Sequence, residues 1–381
     1  MIIRLKIFLS VFLNWNFFFK KNYFVPSILS YGDVFNQLRF IFIKNIHFKK
    51  TIYILSVKNE FVDSWSKVFG FKVVNLVEKF YFKDEINALN YKAALQNAAV
   101  KYFSCISFFK NNDSNLYINK YNSLSECFKK KKTFVNFFKK RIETFSKEKK
   151  LIKSHFNLKN RYVCLHIRTK GKQIQDSNPA DYIDIIKFLI RKNFKVILMG
   201  DKFSNYKVLE KKFRKFDSVI FYYNSNFQNR LNDIILLNDS TFYIGNTGGL
   251  TAIALSLLKK TLVLDALLTP YMYFYKNFRY VPKIYLIKKK KIIEKNFFNI
   301  LQDNIFFNFR SSKYTVRCSS KAEKLLELDN FYKEHIKLKK YNVLIKSKKI
   351  INNKEFLFFK EGYKCLSVNY MKKYYKNFFI F

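Results

Sequence analysis

An α/β fold built on a parallel, doubly wound sheet is what this sequence predicts, and three observations carry the prediction. Between residues 160 and 266, short apolar runs alternate with stretches of helical periodicity, the pattern of repeated βα units. The run 162–167 delivers His166 and Arg168 at its C-terminal end, which is where open α/β sheets bind their ligands. The segment YIGNTGGLTAIALSLL, residues 243–258, passes from a short apolar strand through a small-residue loop straight into a helix.

In chain order, residues 1–21 form a hydrophobic segment interrupted by Arg4, Lys6, Asn14 and Asn16. Its charge-free run, 7–19, is shorter than the roughly 20 apolar residues a membrane span needs, and no small-residue cleavage site follows Lys20 and Lys21. The segment reads equally as an interfacial helix and as a buried first element of the next domain. Residues 22–150 form that N-terminal domain, in which a strand at 25–29, a turn at Tyr31-Gly32-Asp33, a helix at 34–43 and a strand at 51–56 set out βα units. Asp33 is read either as a helix cap or as a carboxylate base at a strand end. Residues 129–150, rich in lysine and carrying Phe134, Phe137 and Phe138, predict one amphipathic helix whose basic face is solvated or rests on anionic lipid.

Residues 151–338 form the second domain. A strand at 162–167, a helix at 181–190 with Tyr182, Ile185, Ile186 and Leu189 on one side, and a strand at 194–199 ending in Gly200-Asp201 complete a βαβ unit. A helix at 205–216, a short strand at 218–221, a helix at 231–237 and strands at 241–244 and 261–265 continue the alternation. Residues 269–291, with two prolines, read as a long loop and a strand. Ser320 and Glu323 have the spacing of a capping box and open a helix bearing Leu325, Leu326, Leu328 and Phe331. Residues 339–381 carry no motif and form a tail of unknown role.

Two of these features converge on anion chemistry. Gly245, Asn246, Thr247, Gly248 and Gly249 carry little bulk, so backbone N–H groups can approach a ligand, and the helix from Leu250 adds its positive dipole end. A phosphate suits that place; an ordinary βα turn is the alternative. His166 and Arg168 stand two residues apart on an extended strand and leave it from one face, and an arginine fork beside an imidazole is a good phosphate partner. A structural role for His166 stays open.

The succession CLHIR (164–168), Gln175-Asp176, SNPADYIDIIKFLI (177–190), KVILMGD (195–201), FYIGNTGGLTAIALSLLKKTLVL (242–264) and VPKIYLI (281–287) resembles a family of bacterial glycosyltransferases distantly similar to fucosyltransferases. The resemblance covers residues 160–335. It implies a GT-B fold, two Rossmann-like doubly wound domains facing each other across a cleft, with residues 22–150 on the acceptor side and 151–338 holding a nucleotide-sugar donor. It further implies that His166 and Arg168 face the donor diphosphate, that Asn246, Thr247, Gly248, Gly249 and Leu250 line the same pocket, and that Gly200 and Asp201 lie near the nucleoside. Such a reaction takes the nucleotide sugar as substrate, with no cofactor and no metal, and its acceptor is a cell-surface glycan or a lipid-linked precursor. The relatives commonly place an acidic residue directly after the arginine, whereas Thr169 and Lys170 stand here. Polysaccharide pyruvyl transferases, which share similar βα halves and a basic phosphate site, are the enzymatic rival.

Composition bounds these readings. The 381 residues allow about two domains, and 49% hydrophobic with 19% aromatic content supplies packed cores and excludes a disordered chain. Lys and Arg number 72 against 27 Asp and Glu, a net charge of +45, which points to an anionic ligand, a membrane surface or nucleic acid. Abundant Lys, Asn, Phe, Ile and Tyr also match the coding bias of an A/T-rich genome. The lysines are spread rather than clustered with arginine, which disfavours nucleic acid. A non-enzymatic polyanion- or membrane-surface-binding protein is the remaining rival. Cys105, Cys127, Cys164, Cys318 and Cys365 form no CxxC pair, and His47, His155, His166 and His335 have no ligand spacing, which argues against structural zinc and for a reducing compartment. The expected location is cytoplasmic, with peripheral contact to the inner face of the membrane through the basic surface.

Overall fold

The computed structural model describes residues 22–24, 31–44, 51–56, 60–75, 131–158, 161–169, 174–201, 203–267, 275–287, 290–291, 314–336, 346–347, 365–375 and 379–380. The expected segment 1–21, the strand at 25–29, Cys105, Cys127 and Lys170 lie outside them. The chain divides into two compact units, Met1–Ser146 and Lys147–Phe381.

The first unit holds β1 (Asn22–Phe24), α1 (Tyr31–Lys44), β2 (Ile52–Ser56), α2 (Glu60–Phe69), β3 (Lys72–Asn75) and α3 (Lys131–Glu143). Its three strands pair in parallel in the order β1-β2-β3, so this unit is α/β as the sequence predicts. Helix α1 begins at Tyr31, so Asp33 stands inside its first turn and not at the cap that the sequence reading offered. The core is aromatic: Phe35 lies 4.7 Å from Trp65, and Phe138 lies 5.3 Å from Phe69 and 5.0 Å from Phe134, centroid to centroid. Because Phe134 and Phe138 face inward while Lys132, Lys139 and Lys140 are exposed, α3 is amphipathic. The single helix expected over 129–150 is two. Arg141 turns back to donate to the Val68 carbonyl at 3.0 Å, the chain breaks at Thr144 and Phe145, and α4 (Ser146–His155) follows.

The second unit continues with β4 (Tyr162–His166), a 3₁₀ turn (Pro179–Tyr182), α5 (Ile183–Arg191), β5 (Lys195–Met199), α6 (Lys207–Phe213), β6 (Val219–Ile220), α7 (Arg230–Asp239), β7 (Phe242–Gly245), α8 (Gly249–Ser256), β8 (Thr261–Ala266) and β9 (Phe278–Pro282). The expected helix at 181–190 starts as a 3₁₀ turn because Asn178 caps the Ala180 N–H and Pro179 occupies the first position. Strand β4 is buried at its first four positions, and β8 is buried at all six, as strands covered on both faces must be. Cys164 inside β4 is fully buried and its thiol is pushed up to about 12 by that burial, so it serves as a core residue.

All pairings in this six-stranded sheet are parallel, and its order is β6-β5-β4-β7-β8-β9. In chain order that is 3-2-1-4-5-6, a doubly wound arrangement whose direction reverses between β4 and β7. Residues 269–291 were expected to give one strand. Phe278–Pro282 instead forms the sixth strand of the main sheet, and β10 (Ile284–Ile287) turns away to pair antiparallel with β11 (Lys290–Lys291) and β12 (Tyr314–Arg317). Helix α9 (Lys321–His335) opens with the capping box at Ser320 and Glu323 and packs on α5, β8 and β9. Within 339–381, β13 (Lys346–Ser347), α10 (Val368–Tyr375) and β14 (Phe379–Ile380) are described, and Leu366 bridges to Tyr280. Among the described residues no helix is long and apolar enough to cross a membrane.

Candidate functional site

In open α/β sheets the ligand crevice lies where strand order reverses, here at the C-terminal ends of β4 and β7, and His166 at the end of β4 is in register with Gly245 at the end of β7. From there the chain leaves β7 through Asn246, Thr247 and Gly248 and enters α8. Gly248 is the N-cap of α8 and contributes no side-chain cap, so the N–H groups of the first helical turn are left to other acceptors. A Cβ placed on Gly248 would lie 3.8 Å from Nη1 of Arg168 and 3.9 Å from Cε1 of His166. The arginine, the histidine and the helix N-terminus therefore face one small volume. Residues far apart in sequence meet there because two strands adjacent in the sheet end at the same level.

The Arg168 guanidinium is partly buried, with its side chain 23% exposed, and Nε stands 3.6 Å from Oδ1 of Asp176. That distance makes a charge contact and not a hydrogen bond. Burial lowers the Arg168 pKa, and the Asp176 and Asp201 carboxylates oppose that shift, so two acids face this cation. Asp176, in the loop that follows β4, is thus brought against Arg168 by the fold.

The backbone of Arg168 is held from both sides. Its N–H donates to Oδ1 of Asn246 at 2.9 Å, and its carbonyl accepts from the Ser177 N–H at 2.9 Å. Asn246 is fully buried, and its Nδ2 donates to the Tyr182 hydroxyl at 2.7 Å and to the Leu264 carbonyl at 2.9 Å. Asn246, expected among the ligand-lining residues, is engaged inside the domain as a brace. Thr247 is half-buried, and its Oγ1 accepts from the Leu267 N–H at 2.9 Å, which ties the loop to the end of β8. Leu250 is buried, so only its backbone bears on the crevice. Gly245 belongs to β7 and not to the loop: a Cβ there would run into the Tyr243 ring, whose hydroxyl lies 2.9 Å from Thr251 Oγ1.

On the other side of β4, Tyr206 fastens two strand ends. Its buried hydroxyl accepts from the Ile167 N–H at 2.9 Å and reaches the carbonyls of Ile167 at 2.7 Å and Met199 at 2.9 Å. Gly200 follows at φ +157, and a Cβ on it would strike Oγ of Ser204, the atom that accepts the Asp201 N–H at 3.1 Å. Asp201 accepts the Phe203 N–H at 3.1 Å. A cavity of about 480 Å³ lies beside this turn, with Phe203, Ser204, Tyr206, Glu210 and Tyr223 in its wall. Tyr206 and Tyr182 were missed as site-building residues. Each is a tyrosine just ahead of a helix, where its ring reads only as core.

Among the described residues no group of three or more His, Cys, Asp or Glu is placed to hold a metal ion. Asp33 lies in the other unit, on the first turn of α1.

No protein-family model and no curated protein matches the chain. Among solved structures it is similar to the E. coli heptosyltransferase WaaC with ADP-2-deoxy-2-fluoro heptose, at 12% identity over 67% of this chain and 91% of that one, with a TM-score of 0.41. A glycosyl transferase of family 9 from Veillonella parvula matches at 10% identity over 66% and 81%, with a TM-score of 0.41. A UDP-N-acetylglucosamine 2-epimerase from Listeria monocytogenes matches at 11% identity over 64% and 79%, with a TM-score of 0.34. These comparisons do not show the likeness to fucosyltransferases that the sequence implied. At such identities and TM-scores, function has to be read from the site itself.

Proposed function

We propose that this protein is a glycosyltransferase of GT-B type that moves a sugar from a nucleotide-sugar donor to a cell-surface glycan or its lipid-linked precursor. The observation that carries the reading is the convergence of Arg168, His166 and the uncapped N-terminus of α8 at the topological switch point of a parallel sheet. Sugar transfer leaves a nucleoside diphosphate, and the charge that develops on its oxygens is what a guanidinium fork and a row of helix N–H groups stabilise. In this role Arg168 binds the diphosphate, His166 donates a hydrogen bond beside it, and Gly248, Gly249 and Leu250 offer backbone N–H groups. The cavity beside Gly200 and Asp201 supports the nucleoside end: it has aromatic side chains in Phe203 and Tyr223 and polar ones in Asn205 and Glu210. Such a site carries out leaving-group stabilisation without a metal. The acceptor hydroxyl needs a base, for which the sequence offers Asp33 as a candidate.

The test is thermal denaturation with ADP-, GDP-, UDP-, CMP- and dTDP-linked sugars. A rise in Tm with one nucleotide family, lost in Arg168→Ala while the variant stays folded, is the expected result. Absence of any nucleotide effect refutes the reading. A shift with phosphoenolpyruvate alone would favour a pyruvyl transferase, and salt-sensitive binding of heparin alone a polyanion-binding protein.

A further inference from the structure

The pair Asp265–Lys324 lies at the centre of the second unit, with both side chains at 0% exposure and Nζ 3.1 Å from Oδ2. Burying two charges is costly, and well-packed apolar residues serve stability as well or better, so the pair calls for an explanation in what it holds. Asp265 gathers three segments. Its carboxylate accepts from Ser177 Oγ at 2.7 Å, from the Ser319 N–H at 2.8 Å and Ser319 Oγ at 3.1 Å, and from Lys324 on α9. Lys324 also donates to the Ser319 carbonyl at 2.6 Å and reaches Asp181 at 3.5 Å. The backbone at Asp265 has φ +50, in the left-handed region that a non-glycine residue enters at a cost, and the β8–β9 register shifts between Val263 and Ala266.

Both routes out of this pair end on Arg168. Ser177, bonded to Asp265, also gives its N–H to the Arg168 carbonyl, and it is chain neighbour to Asp176, the acid facing the guanidinium. The Asp176 carbonyl is itself held by the buried Lys283, whose Nζ donates to it at 2.6 Å. On the second route, Lys324 Nζ stands 5.6 Å from the Tyr182 ring centroid, Tyr182 accepts from Asn246, and Asn246 accepts the Arg168 N–H. We propose that Asp265 and Lys324 are positioning residues for the anion site, fixing the Arg168 backbone and the Asp176 carboxylate so that the guanidinium faces the start of α8. The inference rests on Arg168 being the diphosphate-binding residue.

Three variants separate this from a purely structural role. Ser177→Ala cuts the link to the loop and leaves the ion pair in place. Asp265→Asn with Lys324→Met removes both charges together, so neither is stranded, and asparagine tolerates the left-handed backbone. Ser240→Ala, which removes a buried hydroxyl bonded to the Leu237 carbonyl away from these routes, is the control. Amide hydrogen exchange of the peptide spanning 165–178 is read first, in the absence of ligand, and then the affinity for the nucleoside diphosphate that binds wild type best. Faster exchange in that peptide for Ser177→Ala and the double variant, with affinity down by about 2- to 30-fold and neither change in the control, is expected. Exchange no faster than in the control overturns the proposal, and so does faster exchange with unchanged affinity. If wild type binds no nucleoside diphosphate, the glycosyltransferase reading fails and with it the link to an anion; the exchange result still decides whether the pair positions Arg168.

Discussion

Replacing Arg168 with alanine separates ligand binding from stability, because the two effects differ in size. In the free protein the residue makes a 3.6 Å charge contact with Asp176, with side chains 23% and 15% exposed, so its loss removes a partly screened pair worth about 1 kcal/mol. For a unit of this size that is roughly 2–4 °C in Tm. Charge-assisted hydrogen bonds to a phosphate are worth about 1.5–3 kcal/mol, which weakens binding by roughly 10- to 160-fold. With nucleotide sugar at about 100 times the wild-type Kd, binding adds about 2.7 kcal/mol and raises Tm by roughly 5–11 °C. A variant with affinity down 100-fold is then at about half-saturation and gains only about 0.4 kcal/mol, roughly 1–2 °C. Differential scanning fluorimetry resolves that difference. Arg168→Lys keeps the charge and loses the planar fork, so it should fall between the two. A ligand-induced shift in Arg168→Ala equal to that of wild type would refute the placement of the diphosphate against this residue.

Other perturbations test the supports around the site. Asn246→Ala strands the Arg168 N–H, the Tyr182 hydroxyl and the Leu264 carbonyl in a buried setting, and a loss of about 3 kcal/mol in urea unfolding is expected, together with weaker ligand binding. Gly200→Ala meets both the φ of +157 and the Ser204 hydroxyl, so it should cost about 2 kcal/mol, and adding Ser204→Gly should recover only the steric part of the loss. His335 titrates at about 4 in the folded chain against 6.5 ordinarily, because burial, Arg279 and Lys260 all disfavour its charge. The unfolded chain therefore takes up a proton that the folded chain refuses, so stability is full above pH 6.5 and falls by up to about 3 kcal/mol as pH drops toward 4. Burial raises the pKa of Glu327 on the same helix, which acts in the opposite direction, so the measurement is the pH slope of wild type minus that of His335→Gln.

What was legible in the sequence follows from what periodicity can encode. Strands β4, β5, β7 and β8 are short apolar runs bounded by glycine, asparagine or lysine, and they stand within a residue or two of where their patterns placed them. Strand β9 escaped because FRYVP carries an arginine and a proline, features of a loop, and it completes the sheet at its edge, where a proline is tolerated. The break between α3 and α4 escaped because lysines and phenylalanines keep helical spacing across it; just before it Arg141 donates to the Lys67 and Val68 carbonyls at the end of α2. At the site, His166, Arg168 and Gly248 were legible as residues at strand and helix ends. Asp265 and Lys324 were not, since an acid ending a strand and a lysine on a helix read as solvated groups until the fold buries them, and Asp176 stood among the resembling blocks without a role. Gly245 shows the converse: its place in a glycine-rich run suggested ligand approach, and the tyrosine two residues earlier explains it instead.

The charge of the whole chain and the charge of the site answer different questions. The chain carries a net +45, and lysines such as Lys139 on α3, Lys150 on α4 and Lys211 on α6 stand toward solvent. Among the described residues, the Arg168 guanidinium faces the carboxylates Asp176 and Asp201, with His166 nearby. Affinity for an anion at this site gains from direction, through a planar fork and the N–H groups of α8, which suit a tetrahedral oxyanion held at one position. The long Arg168–Asp176 contact serves that direction: the acid orients the guanidinium at 3.6 Å without closing a hydrogen bond through Nε. The network through Ser177 and Asn246 then has a physical purpose. A directional site depends on placement, and placement is what buried polar groups held at fixed distances supply.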